Sequence, residues 1–169
     1  EYKKIQNLFL AGQYEKVIEK TKILIKKDPL QATFYNYIGL SYGHLGKNEL
    51  GKKFLLKGLE INPNNQSILV NLGSMYRSSQ NFVEAEDILN KVLLNNPNSF
   101  TALCNLANIK RDLNKNDEAI KLYEKAYNID PKNLNLLNNL SIAYQTIGEF
   151  DKCKEILKKT ETLFPKKTT

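Results

Sequence analysis

The chain has 169 residues, a quarter of them charged, with a mean hydropathy of −0.46 and no apolar run near the ~20 residues of a membrane span, so no membrane insertion is expected. The formal charge of +7 is almost all lysine spread along helix faces, as in KKFLLK and EILKKTE, and not gathered with aromatics, which argues against a specific nucleic-acid partner. Cys104 and Cys153 lie far apart without a C-x-x-C motif, so neither a disulfide nor a metal site is implied; the start EYKKIQNLFLAG is too polar for a secretory signal, and the expected compartment is reducing and cytoplasmic.

Pro29, Pro63, Pro97, Pro131 and Pro165 are the only prolines, and each follows the last by 34 residues. Four of them follow Asp28, Asn62, Asn96 or Asp130. The residue before a proline is driven out of the helical region, so a helix stops at each of these points. A fixed interval of this size marks a repeat array. The expected organisation is one domain with units at 1–31, 32–65, 66–99, 100–133 and 134–167, and a tail at 168–169.

The first unit is incomplete. Gly12 takes its turn, and a second helix from about Tyr14 to Lys27 carries Val17, Thr21 and Leu24 on one face, but Glu1 and Lys4 fall where later units place large apolar residues. Its first helix is therefore expected to be a polar cap, or the chain to be cut from a longer one.

Numbered from Ala32, Gln66, Phe100 and Leu134, the next four units align in columns. Position 4 reads Tyr35, Leu69, Leu103, Leu137; position 7 reads Ile38, Leu72, Leu106, Leu140; position 8 reads Gly39, Gly73, Ala107, Ser141; position 11 reads Tyr42, Tyr76, Lys110, Tyr144. These positions share one helix face, with large residues on either side of a small one. A second helix repeats the design, with Gly51, Ala85, Ala119, Cys153 at position 20, Leu55, Leu89, Tyr123, Leu157 at 24, and Gly58, Val92, Ala126, Thr160 at 27. The small members allow close helix approach. Gly46, Asn114 and Gly148 suit a left-handed helix end between the two, and Gln80 suits it less. Each unit is thus two antiparallel helices of about a dozen residues, roughly 18 to 20 Å long.

The fifth unit ends at Pro165 with no further helix to cover Leu157 and Leu163, although stacked repeats need a covered end for solubility. A domain excised from a larger protein, or a homo-oligomer through this C-terminal repeat, is expected.

Units such as NYIGLSYGHLGKNELGKKFLLKGLEINP and NLANIKRDLNKNDEAIKLYEKAYNIDP resemble the tetratricopeptide repeat (TPR) family over the whole chain. The usual Trp at position 4 is replaced by Tyr or Leu. The resemblance implies an all-α, right-handed superhelical solenoid of antiparallel helix pairs, about five repeats long, whose first helices line a concave groove that binds extended peptides or partner helices.

Helix geometry places that groove independently. With 4, 7, 8 and 11 buried, positions 2, 5, 9, 12 and 13 point the other way, with 6 at the margin. Position 6 carries Tyr37, Asn71, Asn105 and Asn139; position 9 carries Leu40, Ser74, Asn108 and Ile142; position 12 carries Gly43, Arg77, Arg111 and Gln145. Asn71, Asn105 and Asn139 form a ladder of amides able to pair with a peptide backbone, and this ladder, with NLANIKR, resembles the groove of the TPR part of O-linked N-acetylglucosamine transferase. Arg77 and Arg111, the only arginines, would add a preference for acidic groups, and Tyr37, Val70 and Ile142 would supply apolar contact. The carboxylate-clamp positions of cochaperone TPR domains hold Val70, Ser74, Asn105, Asn135 and Asn139, so only one clamp asparagine survives.

Chemistry is sparse. His44 at groove position 13 reads as a solvated side chain, and Cys104 at position 5 has no activating histidine near it. No catalytic residue, cofactor or metal is expected. The expected function is a scaffold binding a protein or extended peptide, acidic groups included. The alternatives are a substrate-recruiting domain of a larger glycosyltransferase, sulfotransferase or methyltransferase, and a self-assembling structural repeat.

Overall fold

The computed structural model describes residues 1–165, which form ten helices and no strand. They pair as α1 (Tyr2–Leu10) with α2 (Tyr14–Lys27), α3 (Ala32–His44) with α4 (Asn48–Ile61), α5 (Gln66–Ser78) with α6 (Phe82–Asn95), α7 (Phe100–Asp112) with α8 (Asn116–Ile129), and α9 (Leu134–Thr146) with α10 (Phe150–Leu163). The all-α class and the helix pairs are those expected. The tail at 168–169 lies outside the described residues.

Both kinds of break have a local cause. Within each pair the chain reverses through a left-handed residue: Gly12, Gly46, Gln80, Asn114 and Gly148 have φ of 70°, 73°, 59°, 59° and 81°. The Lys47 N–H then donates to the Tyr42 carbonyl at 2.8 Å, and the same bond recurs from Asn81 to Tyr76, Lys115 to Lys110 and Glu149 to Tyr144. This is the bond that closes a left-handed helix end. Between pairs, Asp28 (φ −139°, ψ 87°), Asn62 (−135°, 89°) and Asp130 (−135°, 86°) are held extended. The ring of the following proline imposes that geometry. Asp28 and Asp130 accept from the N–H groups of Leu30 and Lys132 at 3.3 and 3.2 Å, and Asn65 and Asn133 then cap the next helix by accepting from Ile68 and Leu136 at 3.1 and 3.2 Å.

The chain divides into two compact units within α6, one from Glu1 to Ile88 and one from Leu89 onward. In the first, Ala32, Leu55, Ile68, Leu72 and Met75 make a core. The small column residues are where helices touch. A Cβ added at Gly51 would lie 2.8 Å from the Gly39 carbonyl oxygen, and one added at Gly39 would lie 2.7 Å from Leu55. The expectation of a merely polar α1 is corrected. Lys4 is exposed, but Ile5 occupies position 8 and is fully buried, as is Val17 at position 20, so apolar residues anchor this helix.

The second unit packs Leu103, Ala107, Ala119, Tyr123, Leu137 and Leu140 into one core. Leu163 packs against this core, contrary to the expectation that it faces outward, whereas Leu157 is 45% exposed. Across both units the buried face of the first helices is wider than positions 4, 7, 8 and 11. Ile68, Ala102 and Leu136 at position 3, and Ser41, Met75, Ile109 and Ala143 at position 10, are buried too. A first helix meets two neighbours, since α3 packs on both α2 and α4, and a second i, i+4, i+7 stripe serves the second contact.

Candidate functional site

Each unit presents the outward face of its first helices, and the two faces differ in chemistry. In the first unit that face forms two adjoining clefts. One, of about 420 Å³, is walled by Tyr2, Phe9 and Leu10 of α1 and by Tyr37 and Leu40 of α3, with Asn36, Asn65 and Ser67 at its edge. The other, of about 230 Å³, is lined by His44, Asn48, Asn71, Ser74 and Met75 and shares Leu40 with the first. Aromatic contacts stiffen this region. Tyr37 meets Tyr2 and Phe9 edge-on at 5.8 and 5.6 Å, Phe9 meets His44 at 5.5 Å, and His44 stacks flat on Tyr14 at 4.4 Å. His44 is exposed, as read from the sequence, and is a stacking partner as well. Burial, followed by the hydrogen bond with Tyr2, pushes the Tyr37 hydroxyl up to about 12, so it stays neutral.

In the second unit the outward face is a chain of hydrogen bonds. Arg111 donates to the Asn139 Oδ1 at 3.0 Å, the Asn139 amide donates to the Asn108 Oδ1 at 3.4 Å, and the Tyr123 hydroxyl donates to the same Asn108 oxygen at 2.6 Å. The Tyr123 ring is fully buried in the core. Its hydroxyl therefore ties the orientation of a surface amide to the packing beneath it. The first unit has a shorter version, in which the Asn71 amide donates to the Asn36 Oδ1 at 2.9 Å.

Of the residues singled out in the sequence, Tyr37 and Asn71 line the first unit's clefts, and Asn108, Arg111 and Asn139 are joined in the second. Asn105 on α7 and Arg77 on α5 are half-buried, and Ile142 on α9 is 48% exposed. Val70 is corrected: at 7% exposure it is part of the interior, because position 5 lies on the flank where first helices approach each other, as α3 and α5 do. Sequence reasoning missed Asn36 and Tyr123 as partners of the amides. It also missed the aromatic group, whose signal is a seven-residue spacing on one face, Tyr2 to Phe9 in α1 and Tyr37 to His44 in α3.

Cys104 is half-buried, and burial, then the negative charge of Asp130, push its thiol up to about 11. It is protonated at neutral pH, which makes it a poor nucleophile. No helix among the described residues is long and apolar enough to cross a membrane.

A family model described as "Tetratricopeptide repeat" matches residues 64–132 and 98–166, and a second of the same description matches 32–65. The DnaJ homolog subfamily C member 3 homolog of Dictyostelium discoideum is 23% identical over 83 residues, a stretch that is 49% of this chain and 16% of that protein. Among solved structures, MamA 41-end from Desulfovibrio magneticus RS-1 is similar with a TM-score of 0.81 at 16% identity, covering 99% of this chain and 95% of that one. A crystal structure of MamA is similar with a TM-score of 0.77 at 21% identity, covering 94% and 93%. At these identities the likeness is one of fold.

Proposed function

The chain belongs to the tetratricopeptide repeat family, and from that membership we propose that it is a protein-binding scaffold that uses the outward face of its first helices. The observation that carries this reading is the bonded set Arg111, Asn139, Asn108 and Tyr123. Surface asparagines ordinarily sample many rotamers, and ordering them on binding costs about 0.5–1.5 kcal/mol for each rotamer-rich side chain. Here Asn139 and Asn108 are already ordered; Asn139 keeps one N–H and one lone pair for a peptide backbone, and Asn108, whose Oδ1 already accepts two bonds, keeps its NH2 donors. Asn71, held by Asn36, offers the same in the first unit. Asn71 and Asn139 are two of the three members of the ladder Asn71, Asn105 and Asn139 that resembles the groove of O-linked N-acetylglucosamine transferase.

Acidic groups on a partner would meet Arg111, which uses one of its five guanidinium donors on Asn139, and Arg77 on α5. Such contacts add selectivity to a face whose affinity comes from main-chain pairing and a few buried anchors.

The test is capture of partners from an extract of the source organism by the intact protein and by the triple variant Asn71→Ala, Asn105→Ala, Asn139→Ala. The triple variant should keep its helicity by circular dichroism and lose most of the captured material. Full capture by a well-folded triple variant would remove the ladder from the account.

A further inference from the structure

The face of the first unit carries a second kind of information. The chain has 25 Lys and Arg and 18 Asp and Glu, yet among the described residues lining the two adjoining clefts there is not one of these four types. The polar groups that do line them are amides and hydroxyls, with the imidazole of His44 in the smaller cleft. In a lysine-rich protein, a surface concavity without charge has no complement for an acidic or a basic side chain, and burying either one there unpaired would be strongly unfavourable.

The larger cleft suits something apolar. Its apolar lining is Tyr2, Phe9, Tyr37, Leu40 and Leu10, the last 77% exposed. Its volume of about 420 Å³ falls within the ~300–1,000 Å³ range of small-ligand pockets and leaves room for one large side chain. The edge residues Thr33 and Ser67 offer hydroxyls, and Gln6 an amide, to a main chain passing over the cleft. The adjoining cleft, which shares Leu40, adds the polar groups of Asn48, Asn71, Ser74 and Ser78.

We propose that the cleft between α1 and α3 takes one bulky apolar side chain, aromatic or branched aliphatic, of an uncharged extended peptide segment on a partner protein, whose next residues run over the polar cleft past Leu40. The inference rests on the scaffold reading and names the class of segment that its first unit accepts. The acidic preference then belongs to Arg77 and Arg111, neither of which lines these clefts, and the larger cleft of the first unit selects by shape and by the absence of charge from its lining.

The test titrates the isotopically labelled protein with acetylated, amidated pentapeptides of sequence Gly-Ser-X-Ser-Gly, with X as Phe, Leu, Ala, Glu or Lys. Two-dimensional amide NMR spectra are recorded at low and high salt. The Phe and Leu probes should shift Tyr37, Leu40 and Asn36 and bind at least tenfold more tightly than the Ala, Glu and Lys probes. Their affinity should change less than twofold between the two salt concentrations. Tyr37→Ala should reduce Phe-probe affinity at least tenfold, and so should Leu40→Asn, a similarly sized polar replacement that keeps the ring cluster.

Equal shifts from the Glu and Phe probes, shifts confined to the second unit, or no shift at millimolar probe would overturn the proposal. So would concentration-dependent shifts of the same amides without any probe, which would mean that a second copy fills the cleft. Failure here with capture still lost in the triple asparagine variant would leave the scaffold reading in place. Binding here with capture retained by that variant would remove only the ladder.

Discussion

Gly51→Val should destabilise the first unit by about 3 kcal/mol and lower the melting temperature by roughly 6–12 °C, measured by circular dichroism. The cause is local. A Cβ at this position lies 2.8 Å from the backbone oxygen of Gly39 and 2.7 Å from the Met75 thioether, and α3 and α4 must separate to admit it, with valine adding two further methyl groups. The better helix propensity of valine offsets only a few tenths of a kcal/mol. Gly43→Ala is the control, since its added Cβ meets only the terminal methyl of Met75, which can swing aside. There the gain of about 1 kcal/mol in helix propensity should leave stability unchanged or slightly raised. A Gly51→Val protein as stable as the parent would mean that the helices of a pair do not meet where the small residues stand.

Leu55→Ala should cost about 2–5 kcal/mol, and Leu157→Ala less than about 1 kcal/mol, although both leucines occupy position 24 of their repeats. Leu55 is fully buried and belongs to the first unit's core, whereas Leu157 is 45% exposed. What differs is coverage: α4 packs against both α3 and α5, whereas among the described residues α10 packs mainly against α9. The measurement is chemical denaturation of both variants. Equal losses would show that solvent-facing and covered members of one column contribute alike, against any scheme in which neighbouring repeats bury each other.

The proline interval and the small columns made most of the fold legible because each acts through its own backbone or its immediate neighbour. Pro131 extends Asp130, and a left-handed Gly46 ends α3, whatever lies elsewhere in the chain. The second buried stripe was less legible. Ser41 at position 10 gives no apolar signal, yet it is buried, as are Met75, Ile109 and Ala143 at the same position of their own repeats. The outward face was legible as a set of positions but not as a set of partners. That Asn71 would bond to Asn36, 35 residues away, and Arg111 to Asn139, 28 residues away, depends on how far each first helix slides along the next. A displacement of one residue would pair other side chains. Tyr123 belonged to a packing column on size alone, and only the three-dimensional arrangement brings its hydroxyl to Asn108.

The central claim is that the outward amides are held in fixed directions before any partner arrives, and in the second unit from the core. Side-chain amide NMR of the free protein tests it most directly. The NH2 pairs of Asn71 and Asn139 should resonate apart from those of solvated asparagines and exchange slowly with water, and Tyr123→Phe should move the signals of Asn108 and Asn139 while leaving Asn71 in place. Solvated-asparagine shifts for Asn71 and Asn139 in the free protein, unmoved by the loss of the Tyr123 hydroxyl, would contradict it.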